Sequence, residues 1–339
     1  MTEKGGSMDP DAKALRSLAL GYRLSQALYV FAELGIADAL AAGPATAADL
    51  ALKAGAHEGS LTRLLRLCRA MELVDELPDG TFELTARGTL VRTDVPGSQW
   101  PRVRAAGEAW QWDSWGRLLE SVTTGRSAFE QHYGSNSFEY FDKTPGVGET
   151  MMGRTTEEAR RRGAAIAEAF DFGSVRRVAD IGGGRGAILG EILSRNQHLG
   201  GVLVDLPYAV AGAQEVLAGY GVAERCEVVA GDFRTDLPGE ADVCLLSAVV
   251  HSWSDADSSA LIGRCLDRYG KVLVVDEVVD TVQAPIEVLL KDLQLMVFSD
   301  GRHRSLEEYR QMFAAAGARL ASSAPIGKNE LLMEGVPAS

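Results

Sequence analysis

Residues 12 to about 170 carry apolar positions at helical spacing, whereas residues 175 to 335 carry short apolar runs separated by helical stretches. In the first half, Leu28, Phe31 and Leu34 recur at three-residue steps with Ala27 and Val30 widening the stripe, which predicts a helix packed on its neighbours. Thr46-Ala-Ala-Asp49 reads as a capped helix start and Ala54-Gly55 as that helix's end. Ser60 is placed to cap a second helix with its stripe at Leu61, Leu64, Leu65, Cys68 and Met71. Pro78-Asp79-Gly80 then predicts a turn, followed by alternation at Phe82 and Leu84. Helix, turn, helix and hairpin together make a winged-helix pattern.

The second half predicts strands at Val175–Ile181, Val202–Leu206, Cys226–Ala230, Val243–Val249 and Val272–Val278. Helical segments Ala187–Arg195, Val210–Tyr220, Ser258–Tyr269 and Leu306–Ala316 complete the alternation. Strands spaced by helices imply an α/β fold with a parallel, doubly wound sheet. The tail departs from it: Ala318–Ile326 and Asn329–Glu334 flank Gly327-Lys328, which predicts a hairpin whose last strand runs antiparallel.

Composition narrows the function classes. The chain has 339 residues, 46% apolar and 24% charged, so it folds as an ordinary globular protein without staples. A formal charge of −13 opposes general nucleic-acid binding. The winged-helix stretch is itself neutral, with six Lys and Arg against seven Asp and Glu from Ala45 to Thr93. Arg63, Arg66 and Arg69 on its second helix still leave a ligand-sensing transcriptional regulator as the alternative from another class. Cys68, Cys226, Cys244 and Cys265 form no CxxC pair and have no histidine at ligand spacing, so no metal site is expected. The polar lead MTEKGGSMDP and the charges Arg16, Arg23 and Glu33 in the first apolar stretch fit neither a signal peptide nor a membrane span. A cytoplasmic protein is expected.

Two further stretches stand out. Trp100 to Pro145 holds four of the five tryptophans together with Phe129, Tyr133, Phe138, Tyr140 and Phe141. Such density either lines a site for a flat ligand or packs helices, and the sequence leaves both open. Glu157 to Arg162 reads as a solvated helix face.

The chemistry concentrates at strand ends. Asp180-Ile-Gly182-Gly183-Gly184-Arg185-Gly186 follows the first strand and opens a helix, a turn that lets a ligand approach backbone. Gly182, Gly184 and Ala187 also fit GxGxxA, a dinucleotide pattern. A pyrophosphate beside Asp180 would meet like charge, whereas S-adenosylmethionine carries an ammonium and a sulfonium and suits a carboxylate. Asp205 ends the next strand, 23 residues after Gly182, at a separation that reaches ribose hydroxyls. Asp232-Phe233 ends the third, offering an acceptor for an adenine amino group and a ring to stack on it. The fourth runs into Ser247-Ala-Val-Val-His251-Ser252-Trp253.

With these residues the chain resembles the class I S-adenosylmethionine-dependent O-methyltransferases of the caffeic-acid, plant-type group, and most of all the bacterial branch that tailors aromatic polyketides and antibiotics. The likeness runs through the winged helix, DIGGGRG, VDLP, GDF, LSAVVHSWSD, VVDEVV and DLQLMVFSDGRHRS. It implies a winged-helix dimerisation domain over 12–98, a helical linker lining the acceptor pocket over 99–170, and a cofactor-binding Rossmann-like domain over 171–339. It implies cofactor contacts from Gly182, Gly184, Asp205, Leu206, Asp232, Phe233, Ser247 and Trp253. His251 matches the general base, Glu277 a carboxylate flanking it, and Tyr133 and Met296 the side of an aromatic acceptor. Where many relatives read HDW this chain has His251-Ser252-Trp253, and where many read GGxERT it has Asp300-Gly301-Arg302-His303-Arg304-Ser305, so His303 stands in place of the glutamate that orients the base. The expected activity is O-methylation of a hydroxyl on an aromatic or polyketide-like molecule by a homodimer, with no nucleic acid, membrane or metal involved. C- or N-methylation, or a relative that no longer methylates, is the alternative within enzymes.

Overall fold

The computed structural model describes residues 9–144, 146–147, 156–279 and 284–338. The polar lead up to Met8, Pro145 and the side chains of Glu157 and Glu158 lie outside the described residues. Two compact units divide after Trp112.

The first unit opens with a helix over Pro10–Glu33, capped by Asp9, whose carboxylate accepts from the N–H of Asp11 at 3.0 Å. Helices Ala47–Ala54 and Glu58–Ala70 and the strands β1 (Val74–Glu76) and β2 (Phe82–Leu84) follow. Thr46 caps the first of that helix pair as its sequence predicts, and Gly55 ends it at φ +63°. The second helix starts two residues before the expected Ser60: His57 is its cap, and the ring Nδ1 accepts from the N–H of Ser60 at 3.3 Å. A histidine lone pair does here what a serine oxygen usually does. Phe31, Ile36, Leu50, Leu65, Cys68, Val74 and Phe82 form one buried core. Trp100 belongs to this unit, where its indole N–H donates to the carbonyl of Ala32 at 3.4 Å.

The second unit is a sheet of seven strands in the order β5-β4-β3-β6-β7-β9-β8. The strands are β3 (Arg177–Ile181), β4 (Gly200–Asp205), β5 (Cys226–Ala230), β6 (Val243–Ser247), β7 (Val272–Glu277), β8 (Ala318–Pro325) and β9 (Glu330–Pro337). β3 to β7 run parallel, β9 pairs antiparallel with β7, and β8 closes the hairpin. Period two sends successive residues to opposite faces. Ala179, Val202, Val204, Leu246 and Val274 join a core with Ile262, Tyr309 and Phe313, while Val178, Leu203, Leu245 and Leu273 join another with Leu189, Ile192 and Leu217. The order reverses between β3 and β6, and ligands of such sheets bind outside that point.

Three departures from expectation bear on the site. The strand expected to reach Val249 stops at Ser247, because Ala248 takes φ +57°. The helix expected over 210–220 breaks at Gly212, φ +80°, into Pro207–Val210 and Ala213–Gly219. Ile286–Phe298 is a helix that no strand or helix expectation covered.

Candidate functional site

A crevice with about 460 Å³ of empty space, part of it open to solvent, lies at the carboxyl ends of β3, β4, β5 and β6. Gly182, Asp205, Leu206, Asp232, Phe233 and Trp253 line it, six of the eight residues expected to meet the cofactor. Gly182 sits at φ +73°, and a Cβ there would come within 2.6 Å of Val249 Cγ2, so only glycine keeps this wall open. Gly184 and Ser247 do not line it. The Gly184 N–H donates to Asp205 Oδ2 at 2.8 Å, and Leu206 N–H donates to Oδ1 at 2.7 Å. The turn thus fixes the carboxylate's direction. Burial pushes the Asp205 carboxyl up and these two donors pull it back.

At the other end of the crevice Trp253 is held between rings. Phe138 stacks on it at 5.3 Å and 24°, and Phe233 meets it edge-on at 6.5 Å. The guanidinium of Arg234 lies 5.1 Å from its centroid and also grips Asp232 at 2.7 Å, which holds that carboxyl below its usual range. Phe138 and Arg234 are crevice residues that motif reading had not assigned. Asp180, read from sequence as a carboxylate facing the ligand, is instead fully buried behind the turn. Neither of its oxygens has a hydrogen-bond partner, and burial, then the Asp205 charge, push it up to about 7.

The base cluster lies beside this crevice. His251 sits in a short helical turn, Val250–Ser252, just beyond the strained Ala248. Its Nδ1 is hydrogen-bonded to Oδ1 of Asp276, and its backbone N–H donates to Oδ2 of the same side chain at 3.2 Å. The flanking carboxylate is therefore Asp276, not the expected Glu277. Glu277 points the other way, paired with Lys291, and its second oxygen lies 3.7 Å from Nε2 of His303. His303 is buried, with its ring centroid 6.0 Å from that of His251.

The loop is tied down from the same segment. Arg304, 1% exposed, donates to the carbonyls of Val250 at 3.2 Å and Trp253 at 2.8 Å and pairs with Asp255. Gly301 passes so close that a Cβ would fall 2.0 Å from the carbonyl of His251. This explains why that motif holds glycine and arginine around position 303.

The aromatic stretch divides. Trp110 is buried in the first unit, whereas Phe129 packs in the second against Tyr133, Tyr140, Phe141 and Phe298. Tyr133 donates its hydroxyl to Asp113 at 3.2 Å; burial first, then that carboxylate, push it up to about 12. Met296 is half-buried on the helix Ile286–Phe298, which joins this cluster through the Ser127 hydroxyl on the Val297 carbonyl at 3.0 Å. Among the described residues no group of three His, Cys, Asp or Glu could hold a metal ion, and no helix is long and apolar enough to cross a membrane.

Residues 115–319 match the O-methyltransferase domain and residues 17–94 the O-methyltransferase dimerisation domain. The chain belongs to the O-methyltransferase family. It is an S-adenosylmethionine-dependent enzyme, and the crevice suits that cofactor: its lining holds two carboxylates and three aromatic rings, with Arg234 as its one cationic side chain. The phenazine O-methyltransferase PhzM of Lysobacter antibioticus is 33% identical over 97% of each chain. The O-methyltransferase NcsB1 of neocarzinostatin biosynthesis, solved with S-adenosylmethionine and 2-hydroxy-5-methyl naphthoic acid, superimposes with a TM-score of 0.83 at 30% identity, covering 93% of this chain and 96% of that one. The aclacinomycin 10-hydroxylase RdmB of Streptomyces purpurascens is 32% identical over 90% of this chain and 84% of its own. The same fold therefore also carries a relative named for a different reaction.

Proposed function

We propose that the enzyme methylates a phenolic hydroxyl of an aromatic or polyketide-like small molecule in secondary metabolism, with His251 as general base. The reading rests on one observation: Asp276 holds Nδ1 of His251. A carboxylate there keeps the proton on Nδ1 and leaves the Nε2 lone pair to receive one. A phenol, with an ordinary pKa near ~10, is protonated at neutral pH, so a base that removes its proton during attack raises its nucleophilicity. Bound S-adenosylmethionine supplies an activated methyl group.

The chain's own residues supply position, which contributes much of the rate in a reaction of two bound partners. The Gly182 backbone would meet the methionine part and Asp205 the ribose hydroxyls. Asp232, Phe233 and Trp253 would bracket adenine, and Arg304 and Gly301 hold the His251 loop against them. Met296 and Tyr133 belong to the aromatic side from which a flat acceptor would enter. The matched dimerisation domain, together with Leu15, Leu18 and Leu24 exposed on the first helix, supports a homodimer built through the N-terminal unit. Four buried free cysteines fit a reducing cytoplasm.

Incubation with methyl-labelled cofactor and a panel of phenols, naphthoates and anthracyclines, read by mass, tests the reading. Label on an acceptor oxygen is expected. Label on nitrogen or carbon would move the activity to the alternative within methyltransferases. No label on any acceptor, with cofactor bound, would favour a relative that no longer methylates.

A further inference from the structure

Five ionisable side chains face His303 and its surroundings. His251 stands edge-on at 6.0 Å between centroids, 75° between planes. From β7 come Asp276, already engaged with His251, and Glu277, 3.7 Å from Nε2. From the helix Ile286–Phe298 come Lys291, which neutralises Glu277, and Asp292, whose carboxylate accepts the backbone N–H of His303 at 2.6 Å and not the ring. Tyr309 and Arg304 lie behind Asp276, the latter committed to Asp255 and three carbonyls.

The His303 ring is 3% exposed, and its Nδ1 has no hydrogen-bond partner. An imidazolium carries an N–H on both nitrogens. Here one would be buried with no acceptor, and the other would reach only for a carboxylate already shared with a lysine. That arrangement favours the neutral ring. Burial, then the neighbouring His251, also hold His303 below its ordinary range, against the opposing pull of Glu277, Asp292 and Asp276.

We propose that His303 is a positioning residue for the base: its neutral imidazole places no charge beside His251, so that the one extra proton the pair takes up in the reaction stays on His251. The proposal rests on His251 being the base. It assigns to position 303 control over the pH range in which the base is available, a role separate from contact with the acceptor.

A charge series at this position tests it, with kcat/KM followed against pH and cofactor affinity measured in parallel. His303→Gln, neutral for neutral, should leave the acid limb within a few tenths of a pH unit. His303→Glu brings a carboxylate to within about 6 Å of the base and should move the acid limb up by about one unit. An acid limb moved equally in both variants overturns the proposal, and so does one unmoved in His303→Glu while the carbon-13 shift of the introduced carboxyl shows it ionised. If the glutamate variant does not fold, nitrogen-15 imidazole spectra of the wild type decide. The His303 resonance, assigned by its absence in His303→Gln, should stay neutral from pH 8 to below pH 6, and protonation near 6.5 or above would overturn it. Failure of the base reading looks different: His251→Ala would keep its turnover whatever position 303 does.

Discussion

The cofactor crevice and the base cluster lie side by side, yet they are finished to different degrees. In the crevice each carboxylate that faces the ligand already has its partners: Asp205 takes two backbone N–H groups and Asp232 a guanidinium. In the base cluster Nδ1 of His303 and Oε2 of Glu277 are buried without a hydrogen bond. A binding surface works by being rigid before its ligand arrives. A proton-transfer site must accommodate a charge that appears and leaves, and satisfying every lone pair in advance would fix the proton in one place. Variants on the two sides should therefore fail in different ways.

The largest effect belongs to the base cluster. His251→Ala should lower kcat by roughly 10²–10⁴-fold while leaving cofactor affinity within a few-fold. Asp276→Asn should follow in the same direction, because an amide can hold Nδ1 but no longer stabilises the imidazolium. Single-turnover rates at saturating cofactor, set beside calorimetric affinities, separate the two quantities. Turnover within a few-fold of wild type in His251→Ala would show that alignment alone carries the reaction.

A mutation in the crevice should do the reverse. Asp205→Ala removes the acceptor expected at the ribose and releases the N–H groups of Gly184 and Leu206. Hydrogen bonds to a charged group contribute about 1.5–3 kcal/mol, so cofactor affinity should fall roughly 10- to 100-fold, with kcat at saturation little changed. Unchanged affinity by titration calorimetry would remove Asp205 from the cofactor site.

The two regions also differ in how far the sequence alone reveals them. The crevice is built in chain order from the ends of consecutive strands, so a motif, a strand and a carboxylate 20-odd residues on were enough to place Gly182, Asp205 and Phe233 on one wall. The base cluster joins residues 251, 276, 277, 291, 292 and 303 from separate elements. The expectation of Glu277 in place of Asp276 fails on parity. Val272, Val274 and Asp276 share the face of β7 that packs on the side of Val250, and Glu277 falls on the other. Period two from Val272 leads to Asp276. The helix Ile286–Phe298 escaped for a different reason: Ile286, Val288, Leu289, Leu290, Leu293, Leu295, Met296, Val297 and Phe298 surround its axis, which erases the amphipathic period. Likewise, nothing local to Asp180 distinguishes a carboxylate sealed behind the glycine turn from one that faces a ligand.

That sealed carboxyl acts on stability and not on turnover, because it belongs to the support behind the crevice. Asp180 has its ordinary value of 3.8 in the unfolded chain and about 7 in the folded protein. Its folded value is raised, so the fold binds the extra proton. The stability this group contributes is complete below about pH 4 and declines as pH rises to about 7, where the folded protein must bury a charge. Asp180→Asn keeps the shape and removes the titration. Between pH 4 and 7 the melting temperature of the wild type should therefore fall relative to that of the variant, so that the difference shifts in the variant's favour as pH rises. A difference that stays constant across this range would mean that Asp180 is ionised in the folded protein already, and that its charge meets a counter-charge behind the turn.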